Sequence, residues 1–224
     1  MDTVIPQTIP DLIPALIPHT LPDDSYFLPA GLQCWFDMKA DPEVDLSGNG
    51  VVATFEGCVL TANYGRYFDE SSEENIELTG LSIAGTTYSL EFWLRDISTG
   101  GVINVFDCET GRRTVSLSAA YNLYISDAAS HDTTLVLTED TWWAHVVCVC
   151  DGIVGTGYVN AVAHATADAI QAKALGGAMR LGSNYGGLAS FYRGGMGLFR
   201  AYNRALTQAE VSALFAQDRA RFGV

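Results

Sequence analysis

The carboxylates are the first residues to test for chemistry. A glycoside hydrolase needs two of them facing one cleft, about 5–5.5 Å apart for a retaining reaction. Glu91 lies in an alternating run that predicts a strand, but no second carboxylate stands two residues away. Glu73, Glu74 and Glu77 fall at a loop edge, where carboxylates are ordinarily just solvated. His145 sits inside an apolar run and reads as a packed strand histidine rather than a base, and His19, His131 and His164 are scattered. No G-x-S-x-G is present, so a serine nucleophile has no elbow to sit on. Gly186-Gly187 and Gly194-Gly195 lie between predicted strands and not ahead of a long helix, which removes phosphate-loop logic. The chain is therefore expected not to be an enzyme, with hydrolysis through Glu91 as the weakest alternative.

Binding chemistry has more material. Oxygen-rich loops occur at Asp45/Ser47/Asn49, Asp69/Glu70/Ser71 and Asp127/Ser130/Asp132, and hard cations such as calcium take such ligands. None has calcium-loop spacing, and turn-forming Asp and Asn explain the first set without a metal. No cofactor is expected, with calcium at Asp45, Asp69, Asp127 or Asp132 as the weak exception. Sugars are held by exposed aromatic faces. Tyr121, Tyr124, Tyr185 and Tyr192 are the candidate glycan contacts, although core packing or contact between subunits explains them equally well.

Charge narrows the partners. The chain has 224 residues and a formal net charge of −14. A phosphate-backbone binder needs the opposite sign, so nucleic acid is excluded as a general partner. No apolar run approaches the ~18 residues that span a bilayer. The N-terminus has no basic n-region and is broken by proline, so no signal peptide is expected. Five cysteines, Cys34, Cys58, Cys108, Cys148 and Cys150, match no zinc spacing. Cys148 and Cys150 are two apart in a predicted strand and so face the same way. Reduced, buried thiols and synthesis in a cytoplasm are the expectation.

Residues 1–29 differ from all that follows. Six of the seven prolines lie there, and five keep a period of four: Pro6, Pro10, Pro14, Pro18 and Pro22. Each follows an aliphatic residue, Ile5, Ile9, Ile13, Ile17 or Leu21. Helix is ruled out, because every fourth amide is missing and the residue before each proline is pushed to extended geometry. In an extended chain the prolines then share one parity and the aliphatics the other. Backbone groups at odd positions are intact, so this arm has one edge on which it can pair. Two readings stand beside each other: a stiff linker draped on its own domain, or an arm that docks on a neighbouring subunit. An Ile or Leu in each repeat favours docking, and with it a homo-oligomer or a larger assembly.

The rest of the chain must supply the scaffold. Short apolar or alternating runs are predicted as strands at 32–37, 51–60, 64–68, 76–78, 88–95, 102–106, 114–117, 122–125, 134–137, 143–150, 157–164, 178–182 and 196–202. The 88–95 run alternates and predicts a half-buried strand, while 143–150 is continuously apolar and belongs in the centre. Thr207-Gln-Ala-Glu210 is a capping box that opens a short helix with Val211, Leu214 and Phe215 on one stripe. Many short strands with glycine turns make an all-β sandwich.

Four segments carry a resemblance. Phe199-Arg-Ala-Tyr-Asn-Arg-Ala-Leu-Thr-Gln-Ala-Glu210 resembles the closing "V-R-I-Y-N-R-A-L-S-x-x-E" of laminin-G-like, concanavalin-A-like jelly-roll domains. Trp143–Gly152 resembles their "W-H-H-V-A-V-T-Y-D-G", and Tyr158–Val162 their "Y-V-N-G-V". Gly31–Asp37 with Asp45–Gly50 is similar to the opening strand and its "D-S-S-G-N-G" turn. The resemblance implies an antiparallel jelly-roll β-sandwich over residues 30–224, with the extended arm before it and a short C-terminal helix. It also implies a rim calcium in some relatives, and an acidic pair that is Gly197-Leu198 here. By the same likeness the chain is expected to be a non-enzymatic recognition or structural protein of a bacteriophage virion, as head decoration, fibre or tail protein. Its sandwich would face outward for contact with host glycans. A stand-alone polysaccharide-binding lectin is the alternative.

Overall fold

The computed structural model describes residues 26–40, 43–95, 102–110, 113–117, 122–126, 130–136, 143–169 and 174–224. The repeat from Ile5 to Pro22 lies outside these residues. The strands are β1 (Leu32–Phe36), β2 (Val52–Glu56), β3 (Val59–Thr61), β4 (Gly65–Phe68), β5 (Asn75–Thr79), β6 (Tyr88–Arg95), β7 (Ile103–Cys108) and β8 (Arg113–Leu117). They continue as β9 (Asn122–Ser126), β10 (Ser130–Val136), β11 (Ala144–Cys150), β12 (Val154–Val159), β13 (Val162–Ala169), β14 (Met179–Leu181) and β15 (Gly194–Tyr202). One helix, α1 (Gln208–Phe222), follows.

Among the described residues the strands form two antiparallel sheets. Sheet A runs β13-β12-β11-β6-β15-β4-β3, with β1 also paired to β15; sheet B runs β10-β9-β8-β7-β14-β5-β2. The main core lies between them, with Phe36, Phe92 and Phe199 from sheet A meeting Ile76, Phe106 and Leu181 from sheet B. This is the all-β sandwich the strand pattern predicts.

Three details depart from the sequence reading. The single strand expected at 51–60 is two strands in different sheets, because Gly57 at φ +84° turns the chain across the sandwich flank. β6 is not half-buried: all its residues but Arg95 are buried, and both faces of β15 are buried as well. The reason is α1, which extends to Phe222 and covers the outer face of sheet A. Val211 and Leu214 pack there with Val147, Val149, Tyr158 and Tyr202, and Phe222 packs with Trp93, Trp143 and Leu198. An alternating polar residue on β6 therefore meets a helix instead of water.

The helix starts where the capping box predicts. Thr207 accepts the Glu210 amide, and Glu210 accepts the Thr207 amide. It ends on Gly223, whose positive φ of 74° suits a glycine C-cap. Gly197 lies under the last turn, where a Cβ would stand 2.3 Å from Phe222 Cε1 and 2.9 Å from Trp143 Cη2. Here glycine is required by close approach and not by φ.

Polar residues beneath the helix form one connected network. Arg200 is fully buried on β15. Its Nη1 donates to Glu91 Oε1 at 3.0 Å and to Asp218 Oδ2 at 2.9 Å. Tyr26 joins Arg200 and Asp218 through its hydroxyl. The guanidinium lies 4.7 Å from the Trp35 ring centroid, and Tyr26 stacks on Trp35. Glu91 also accepts from His145 Nε2 at 3.1 Å and from the Tyr202 hydroxyl at 3.2 Å. Burial by itself would raise the Glu91 carboxyl, but Arg200, then His145 and Tyr202, outweigh it and hold the group below its ordinary range.

Removing Arg200 strands two buried carboxylates, so Arg200→Met should cost about 3–5 kcal/mol in a urea titration at pH 7. A carboxyl whose folded pKa is depressed stabilises above its unfolded value of about 4.3, and that stability is lost as pH falls through the folded value. Wild type should then lose up to about 1.4 kcal/mol per pH unit from Glu91 in this acid window, and Glu91→Gln should flatten that slope by roughly one proton. Gly197→Ala forces the last turn of α1 off the sheet and should cost about 1–3 kcal/mol by thermal or chemical melt.

Candidate recognition face

With the centre of sheet A covered by α1, a second set of polar side chains collects on the outer face of sheet B. Alternation supplies them: Ile76 and Leu78 on β5, Met179 and Leu181 on β14, and Phe106 and Cys108 on β7 point into the core. Glu77, Arg180 and Asp107 fall between them. The register aligns these residues side by side: Thr54 with Glu77, Glu77 with Arg180, and Arg180 with Asp107. It carries the same row on through positions 114, 126 and 130 of β8, β9 and β10, which are Thr, Ser and Ser. Every position in a row crossing all seven strands of sheet B is polar. A bulge between Asn104 and Phe106 turns both Val105 and Phe106 inward and leaves Asn104 on the outer side beside Asp107.

Arg180 is the centre of the described part. Its Nη2 donates to Glu77 Oε2 at 2.7 Å and its Nη1 to Glu56 Oε2 at 3.1 Å and to Asn75 Oδ1. Its Nε donates to the Tyr185 carbonyl at 3.3 Å, which ties the loop 182–190 onto the sheet. Asn184 braces that loop, its Oδ1 accepting the Leu188 amide at 2.8 Å. Gly187 sits at φ +68° directly against the guanidinium, where a Cβ would be 3.1 Å from Arg180 Cζ. Asp107, almost fully buried beneath this loop, accepts the Tyr185 amide at 3.1 Å. Glu56 and Glu77 keep exposed oxygens, Tyr185 is half-buried and Leu188 is 81% exposed. Hydroxyl-rich ligands suit this arrangement, since carboxylates accept, amides do both, and the loop adds apolar surface.

The residues singled out from sequence scatter. Tyr185 belongs to this face. Tyr124 is on β9, in register with Ser116 of β8 and Asp132 of β10, so its strand position is on the same sheet. Tyr121 and Asp127 lie outside the described residues. Tyr192 is corrected: it is 0% exposed, edge-on to Phe68, with its hydroxyl donating to the Gly195 carbonyl, and is a core residue. Asp45 is spent on its own turn, accepting the amides of Trp35, Ser47 and Val51 at 3.0 Å each. Asp69 caps a 3-10 turn at Glu70–Ser72, and its bonds to Ser71 lower its carboxyl. Among the described residues no group of three His, Cys, Asp or Glu is arranged to hold a metal. Glu91 does not face a cleft; it is closed in the network under α1 with His145. All five cysteines are buried and outside any disulfide, and burial pushes the Cys34, Cys58 and Cys148 thiols up. Cys148 and Cys150 share the core side, as their spacing implies. Among the described residues no helix is long and apolar enough to cross a membrane. The Arg180 cluster was not legible in sequence, because Glu56, Asn75, Glu77 and Arg180 are up to 124 positions apart.

Comparison with known proteins agrees with this architecture. Domain 4 of an extracellular GH43 arabinanase from Geobacillus stearothermophilus, solved with arabinotriose, superposes with a TM-score of 0.61 at 20% identity, covering 82% of this chain and 97% of that one. The receptor-binding domain of botulinum neurotoxin type G matches with a TM-score of 0.64 at 12% identity, over 84% of this chain and 51% of that one. Trypanosoma rangeli sialidase matches with a TM-score of 0.64 at 14% identity, over 87% of this chain and 34% of that one. The chain thus spans about half of the toxin domain and a third of the sialidase, and at these identities the likeness is one of fold. No curated protein matches in sequence. A family model for the concanavalin A-like lectin/glucanases superfamily, Laminin_G_3, matches residues 70–212. With most of its sandwich inside that match, the chain belongs to the concanavalin A-like lectin/glucanase superfamily.

Proposed function

We propose that this chain is a non-enzymatic recognition module that binds a neutral glycan on the outer face of sheet B. We further propose that residues 1–29 tether it to a larger assembly of the kind a bacteriophage particle displays to its host. The observation that carries the reading is the polar row across sheet B, centred on Arg180 and left uncovered by α1. Two exposed carboxylates, Glu56 and Glu77, share one arginine, so the face is locally acidic. Acidic groups repel sialylated or uronic acid sugars and accept from neutral hydroxyls. The arabinotriose complex of the arabinanase domain shows that a domain of this fold takes a neutral oligosaccharide, which supports the choice.

The tether rests on the arm's composition and on its root. Tyr26 is held by Arg200 and Asp218, and the Phe27 amide donates to Gln217 of α1, so the arm leaves from a fixed point beside the helix. A fixed root transmits position from an anchor to the sandwich.

A glycan array with the full chain tests the recognition face. Selective binding to neutral plant or bacterial polysaccharides is expected, weakened at least tenfold by Arg180→Ala and by Glu77→Gln, with no product released. Absence of binding, a preference for sialylated glycans, or affinity unchanged in both variants overturns the reading.

A further inference from the structure

Resting on the tether just described, we propose that the docking site of the arm is the flank of a second copy of this chain, where β2 and β3 leave both sheets open. The two strands end sheets B and A, respectively, and neither has a ladder partner on its outer side among the described residues. They lie on one flank, since only Gly57 and Cys58 join them and Phe55 of β2 sits under the Arg66 guanidinium of β4, 4.6 Å away.

This flank is also where exposed aliphatics gather. Val52 is 57% exposed, Val59 53% and Leu60 37%. Val44 joins them at 48%, next to Glu43, which is paired to Arg66, the register partner of Leu60. Neighbours on a packed strand alternate in and out, yet Val59 and Leu60 are both exposed. Unpaired, apolar edge strands attract another strand, and proteins ordinarily blunt them with charge, proline or a cover.

The arm has the complementary design. With proline at every fourth position, one side of an extended ribbon has lost half its amides and cannot pair inside a sheet. Such a ribbon is acceptable only as the outermost strand, its proline side toward water. Its intact side carries Ile5, Ile9, Ile13, Ile17 and Leu21 at the pairing positions. Docked on β2 or β3, it would complete a ladder, cover the exposed valines and present a non-pairing edge that ends further addition.

A second copy is the occupant because of length and origin. The 25 residues before Tyr26 reach about 80 Å when extended, roughly twice the ~40 Å width of a domain this size. Their root is pinned beside α1 through Tyr26 and Phe27, and a ribbon of that reach, fully extended, passes beyond its own domain to the flank of a neighbour.

Two full-length variants test this. Val59→Lys/Leu60→Lys spoils the flank and keeps the arm; Ile9→Asp/Ile13→Asp spoils the arm and keeps the flank. Wild type should exceed the 24.1 kDa monomer mass by light scattering. Each variant alone should associate at least tenfold more weakly, and an equimolar mixture should recover a heterodimer, because each supplies what the other lacks. A monomeric wild type, variants that associate as wild type does, or a mixture that gives no heterodimer overturns the proposal. Should the flank variant fail to fold by circular dichroism, the arm variant decides by itself, since its changes lie ahead of Tyr26. Glycan binding measured on the same samples separates the two ideas: the arm can fail while the Arg180 face still binds.

Discussion

One buried arginine sets the terms for the rest of the molecule. Arg200 lies in the middle of sheet A, where a guanidinium with no counter-charge would be far too costly to desolvate. It is tolerated because Glu91 reaches it from β6, Asp218 from α1 and Tyr26 from the arm's root, with the Trp35 ring beneath it. Each partner belongs to a different element. The network therefore fixes where the helix lies and where the chain enters the domain. A merely greasy contact between α1 and the sheet would leave the helix free to slide; a single cation with two carboxylates does not.

Covering the centre of one sheet sets it apart from the other. Trp93, Trp143 and Leu198 would lose the cover of the Phe222 ring if α1 stopped at Phe215, and Phe222 stacks on Trp93 with ring centroids 4.2 Å apart. Among the described residues, sheet B has no such helix over its β2–β5–β14 side, where the outward positions Thr54, Glu77 and Arg180 stand in cross-strand register, while Asp107 on β7 lies beneath the 182–190 loop. The sandwich is thus divided into a half that holds the fold together and a half that meets solvent.

How much of this the sequence shows depends on the range of each interaction. The Thr207–Glu210 capping box and the Asp45 turn involve neighbours a few residues apart, and both are where the residue types place them. The shared face of Cys148 and Cys150 follows from strand period alone. Glu91 defeats such reasoning, because alternation assigns it to solvent and only a helix more than 100 positions later makes it buried. Tyr192 looks like a rim aromatic until Phe68 closes on it. The Arg180 cluster draws on three strands of sheet B and a loop, a set that no local pattern joins.

The Gly197-Leu198 pair, where the resemblance implies acidic residues, makes sense in the same terms. A carboxylate at 197 would have to occupy the space taken by the Phe222 ring, and one at 198 would be driven into the Trp93–Trp143–Phe222 cluster without a cation. A helix that runs to Phe222 therefore excludes acidic groups at these two positions, whereas Glu91 and Asp218 are accommodated on the same side by Arg200. The partly exposed carboxylates of Glu56 and Glu77 lie instead around Arg180 on the opposite sheet, which α1 leaves uncovered.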